Sequence, residues 1–286
     1  MTIAAPEGGS LSTPVRAPLG RLLRSELRWV LRRPRTQIGL GILALVPVLM
    51  GIGIVATDSP GGSGLLTQIA GNGLVLPVVA LSISLALLLP LAVTMAAADA
   101  LAGESAHGTL RGLLLAPVSR PRLVLVKAVG VLSVAMAAVT AVTLVGIVTG
   151  LVLVGPSGTA HGMLTLSGTE VGPGSALLRV SLAAAWTVGQ LAAVGAVALT
   201  VSSATEHPLV VLAAVLGGLI VFGVLSSIPA LDWLQPMLLT NGWFAITDVL
   251  RDPVPLDGLA SSSLRAACYL VLGLALTLAR TTTREA

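Results

Sequence analysis

Residues 74–98 run through Leu, Val, Ala, Pro, Ile, Ser, Thr and Met without one ionisable side chain. A run of about 20 apolar residues is the length that crosses the hydrocarbon core of a bilayer. In that solvent every backbone N–H and C=O must be paired within the chain, which leaves the helix as the natural form for such a run. Hydropathy places further spans near 36–56, within 128–154, within 175–201, near 208–228 and near 264–278. The last is short, with Arg265 near its start, where a long side chain can snorkel toward headgroups. Composition agrees: 10% of the 286 residues are charged and 55% hydrophobic, against about 25% charged in soluble domains. The expected fold class is therefore an all-α polytopic membrane protein with six transmembrane helices.

Basic residues orient the spans, because Lys and Arg accumulate in cytoplasmic loops. With the N-terminus inside, thirteen of the sixteen basic residues are cytoplasmic, and only Arg179, Arg251 and Arg265 are outside. The twelve acids divide six and six, so the bias is one of basic residues alone. Both termini are expected in the cytoplasm, in a cell membrane of bacterial type. The basic residues lie at the ends of spans rather than in one patch, which argues against nucleic acid as a partner.

Ahead of the first span, residues 19–31 have a helical pattern. At 100° per residue Arg21, Arg24, Arg28 and Arg32 form one stripe, opposite Leu19, Leu22, Leu23, Leu27, Val30 and Leu31. Such a helix lies in a membrane interface, with Trp29 at headgroup level and Pro34 ending it. The organisation expected is a disordered start (1–17), an interfacial helix (18–33), a six-span membrane domain (34–280) and a cytoplasmic tail (281–286). Two outer loops, 57–72 and 155–174, are rich in Gly, Ser and Thr and read as flexible connectors. The third, 229–263, contains Trp233, Trp243 and Phe244 and an apolar stretch, 231–250, which predicts short helices at the outer interface. Pro47, Pro77 and Pro90 are candidate kinks.

The stretch 99–127 between the second and third spans breaks the apolar monotony. Its residues 103–116 are compatible with a helix that Pro117 and Pro121 stop. Leu110, Leu113 and Leu114 share one side, with Glu104, His107 and Arg111 elsewhere. A short amphipathic helix at a membrane boundary can fill a groove in a partner protein.

The run Gly103-Glu104, Gly108-Thr109-Leu110-Arg111, Leu114-Leu115, Pro117-Val118-Ser119-Arg120 and Lys127 resembles the signature of ABC-2 type permeases. These are the six-span membrane subunits of ATP-binding-cassette exporters. The layout is similar as well: an amphipathic helix before the first span, this segment after the second, a structured outer loop between the fifth and sixth. The resemblance implies that the segment is a coupling helix inserted into a cleft of an ABC ATPase (nucleotide-binding) subunit. Glu104, Thr109, Leu110, Arg111, Leu113, Leu114, Pro117 and Arg120 would form its contact surface or frame. Gly112 departs from an ideal helix, since a mid-helix Gly costs up to about 1 kcal/mol against Ala.

A phosphate-binding loop needs Gly-Lys-Ser or Gly-Lys-Thr, and the one lysine, Lys127, stands in Leu-Val-Lys-Ala-Val. This chain is thus not expected to be an enzyme or to hold a cofactor; ATP and Mg belong in the partner ATPase. His107, His161 and His207 lie in three separate loops, and no spacing fits a metal site. Polar residues inside the spans are few. Ser82, Ser84, Gln190 and Thr143 read first as helix–helix hydrogen bonds, and the first three are tentative members of a substrate path. Spans without carboxylates favour a hydrophobic or amphipathic cargo (drug, antibiotic or lipid-like) moved by a dimer of permease subunits, homo- or heteromeric. An ion-coupled carrier and a non-transporting anchor or sensor that recruits an ATPase are the alternative readings.

Overall fold

The computed structural model describes residues 19–56, 72–103, 119–155 and 162–283. Its helices are α1 (Leu19–Arg32), α2 (Pro34–Ala56), α3 (Leu76–Ala86), α4 (Leu88–Ala100), α5 (Arg120–Thr149), α6 (Pro173–Ser202), α7 (Pro208–Ser226) and α8 (Asp257–Thr283). Five of these are long and apolar enough to cross a membrane, or six spans if the bent pair α3–α4 counts as one. The expected start at 1–17 and the segment 104–118 lie outside the described residues.

Proline punctuates this architecture. Pro34, Pro77, Pro173 and Pro208 each stand in the first turn of a helix or of its half-span, where the missing N–H has no intrahelical role. Pro77 therefore starts a helix instead of kinking one, and Pro47 sits inside α2 without breaking it. The break comes at Leu87, where α3 and α4 diverge by 54°. Pro90, in the first turn of α4, cannot donate to the carbonyl of Ala86.

At the centre stands α6. It packs along α4, α5 and above all α8, and it buries Ala183, Trp186, Leu191, Val194 and Ala198. Close approach to α8 needs Gly273, since a Cβ there would lie 2.8 Å from the carbonyl carbon of Ala196. One turn further, Thr200 donates to the carbonyl of Gly273 at 2.8 Å and lies 3.2 Å from the Thr277 hydroxyl. Helices α2 and α7 are peripheral, with exposed Ile38, Ile42, Leu49, Ile220 and Val221, the expected dress of a lipid-facing surface.

Three expectations are corrected. The last span begins at Asp257, not near 264, because Ser261, Ser262 and Ser263 each bond a carbonyl three or four residues back and so sit within a helix. Arg265 is consequently inside α8, and it does not snorkel. It donates to the carbonyls of Leu238, at 3.0 Å, and Asn241. The loop 155–174 is not merely a flexible connector: β1 (Met163–Leu164) and β2 (Glu170–Val171) form an antiparallel hairpin in the register Met163 to Val171. The short helices expected in 229–263 are present as 3-10 turns, Pro229–Met237 and Trp243–Leu250.

Candidate functional site

The charges of the described residues gather at the two ends of the bundle. At one end α1 meets α5 and the junction of α1 with α2. On α1, Arg21, Arg24, Arg28 and Arg32 are all exposed, and Val30 on the other side is buried. Trp29 is 47% exposed, with the Arg33 guanidinium stacked 3.3 Å from the ring centroid and the Lys127 ammonium at 5.8 Å.

Two ion pairs join α1 to the bundle here. Lys127 Nζ donates to Glu26 Oε1 at 3.0 Å, with side chains only 4% and 14% exposed. Arg33 Nη1 donates to Asp99 Oδ2 at 2.9 Å, on side chains about a quarter exposed. Both pairs are favoured by their surroundings, since attraction between charges grows as water is removed. Gly130, one turn beyond Lys127, admits Glu26: a Cβ on it would stand 3.2 Å from Glu26 Cγ.

Asp99 and Lys127 are the two ends of the stretch that carries the coupling signature. Of that signature Arg120 is described, while Glu104, Thr109, Leu110, Arg111, Leu113, Leu114 and Pro117 lie outside the described residues. Arg120 begins α5 and donates to the carbonyls of Thr281 and Thr282, at 2.7 and 2.6 Å. It thereby ties the start of α5 to the last turn of α8 and meets carbonyls that a helix end leaves unpaired.

The polar residues of the spans do not make the helix–helix bonds expected of them. Ser82 donates to the carbonyl of Val79 in its own helix. Gln190 is 1% exposed, and neither its Nε2 nor its Oε1 has a partner among the described residues. The hydroxyls of Ser84, Thr94 and Thr143 are likewise buried and unpartnered. These four side chains sit on α6, α3, α4 and α5, which pack on one another around the break at Leu87. The structure thus gathers Ser84 and Gln190 into mutually packed helices and leaves Ser82 half-buried, bonded within its own turn.

At the opposite end Arg179, near the start of α6, donates to the carbonyls of Val249, at 3.1 Å, and Arg251, and pairs with Asp252 at 2.8 Å. Asp252 also accepts from Thr169 at 3.0 Å, and the Leu166 N–H donates to the Leu250 carbonyl at 2.8 Å. The hairpin, the 3-10 turn Trp243–Leu250 with the residues that follow it, and α6 are locked together. Sequence reasoning counted Arg179 only as an outer base. Its signal was a lone charge at the head of an apolar run.

No group of His, Cys, Asp and Glu among the described residues is placed to hold a metal ion. Apolar helices with charges confined to their two ends define a multi-pass helical membrane protein. Residues 22–249 match the family described as ABC-2 family transporter protein, and the chain belongs to that family. A search of curated proteins finds no match. The family is a membrane domain without a nucleotide-binding domain, and its permeases generally work with an ABC ATPase subunit.

Proposed function

We propose that the chain is the permease subunit of an ATP-driven exporter, moving a hydrophobic or amphipathic molecule out of the cytoplasm or inner leaflet. Two permease subunits form the pathway, and two separate ATPase subunits, holding ATP and Mg, drive it from the cytoplasmic face of the cell membrane. Family membership over residues 22–249 carries the reading. The distribution of acids supports it against ion coupling. No carboxylate among the described residues lies in the middle of a span: Glu26 is on α1, Asp99 and Asp257 are at helix ends, and the others are in the hairpin, the 3-10 turns and the connections. Ion-coupled carriers, by contrast, rely on carboxylates within their spans.

In this reading the Leu110, Leu113 and Leu114 face docks in a cleft of the ATPase, with Glu104, Thr109, Arg111, Pro117 and Arg120 as its rim and frame. Nucleotide-driven closure of the ATPases favours one arrangement of the spans over another, through its differential affinity for the two. Ser82, Ser84 and Gln190 mark the path, where a polar group of an amphipathic cargo would find in Ser84 and Gln190 side chains without other partners among the described residues.

Leu110→Asp and Leu114→Asp test the docking. A buried anchor is worth about 2 kcal/mol or more at an interface, so each variant should weaken ATPase binding by roughly thirty-fold. Co-purification in mild detergent and ATP hydrolysis by the complex read this out. A native chain that binds no ATPase refutes the exporter, and normal binding by both variants refutes the docking face.

A further inference from the structure

Glu26 and Arg33 stand seven residues apart, and Lys127 and Asp99 bound one segment of 99–127. Seven residues are two helical turns, about 10 Å of rise, and return to within roughly 20° of the same face. The two partners on α5 and α4 are 28 residues apart along the chain and are met by Glu26 on α1 and by Arg33, the residue that directly follows it. We propose that α1 is a strut across the coupling segment: Glu26 and Arg33 hold its two ends, at Lys127 and Asp99, so that α4 and α5 answer a push on it as one body. The proposal rests on reading that segment as the place where the ATPase pushes.

A helix that only anchored would be held by its Leu and Val side. Here the side away from the exposed arginine stripe also carries two charged groups, Glu26 and Arg33, which turn inward beside Leu22 and Val30. The Lys127–Glu26 pair is nearly dry, which strengthens the attraction between its members. Trp29 sits beside both pairs, stacked under Arg33 and within reach of Lys127, which ties the two locks to one side chain. Gly130 lets α1 lie close enough for the first lock to form. Because Arg33 is also the joint between α1 and α2, the strut extends the same push to the first span. Glu26 and Arg33 are positioning residues: they act on the spacing of Asp99 and Lys127 and touch no cargo.

The test measures a distance. Spin labels are placed on Met95→Cys in α4 and Leu125→Cys in α5, both exposed positions, in a Cys268→Ser background of the full chain in liposomes. The native strut should give one narrow distance, unchanged when the ATPase is bound and trapped with vanadate. Glu26→Gln and Arg33→Gln should lose the single narrow distance in the permease alone and shift further on trapping. Arg33→Lys, which keeps the charge, and the exchange of Glu26→Lys with Lys127→Glu should return it. A narrow native-like distance in both Gln variants overturns the strut. The permease-alone arm needs no ATPase, so failure of the native chain to bind one counts against the exporter and leaves this arm to decide.

Discussion

Gln190 carries the largest unmet demand of any side chain in the spans. Both polar atoms are buried without partners among the described residues, and each such group costs about 1–3 kcal/mol of desolvation. A leucine of similar volume removes that cost and keeps the packing with α4 and α5. Gln190→Leu should therefore raise the thermal midpoint in detergent, by the equivalent of about 1–3 kcal/mol. If Gln190 meets a polar group of the cargo, transport should fall in the same variant. A loss of stability would show instead that its amide is bonded in the folded protein. Separation of the two readouts is the point, since natural sequences keep a costly polar group where function requires it.

At the scale of elements, the end of the bundle away from α1 is held by one arginine. Arg179 meets two carbonyls and a carboxylate drawn from residues 249–252, a geometry suited to a guanidinium and not to an ammonium. Hydrogen bonds to charged groups contribute about 1.5–3 kcal/mol, so Arg179→Met should destabilise the protein by about that much and expose 162–171 to protease. Arg179→Lys should recover only part. Thermal unfolding and limited proteolysis of vesicles with the outer face exposed check both; unchanged protection would mean the hairpin is held by other contacts. How much of this was legible follows from range. The spans at 36–56, 175–201 and 208–228 could be read closely, because hydropathy and first-turn prolines are local signals. Helix α8 was read short because its serines look like loop residues, and only their bonds to carbonyls one turn back make them helical. The pairs Arg33–Asp99 and Glu26–Lys127 join residues 66 and 101 positions apart. Sequence pattern showed four lone charges at one membrane boundary and could not say which would meet. The hairpin strands are two residues each, too short for any alternation to register.

For the whole molecule, the charges form two layers with apolar helix between them. One layer holds Glu26, Arg33, Asp99, Lys127 and Arg120; the other holds Arg179, Asp248, Arg251 and Asp252. In the orientation expected from the basic residues, the α1 end would be the cytoplasmic one. Cys268, the single cysteine, provides a depth marker. It is exposed on α8, five residues before Gly273, whose contact with Ala196 lies well inside the bundle. On the lipid-facing surface of α8 it is out of reach of a charged, water-soluble reagent. A charged maleimide should leave it unlabelled in intact cells and label it after denaturation in SDS. In a Cys268→Ser background, Asp257→Cys, at the start of α8, should react from outside intact cells. Thr205→Cys, in the turn between α6 and α7, should react only once the cells are opened. Reversal of those two results would invert the topology and place the α1 strut, with the coupling segment it braces, on the face where no ATP is available to drive it.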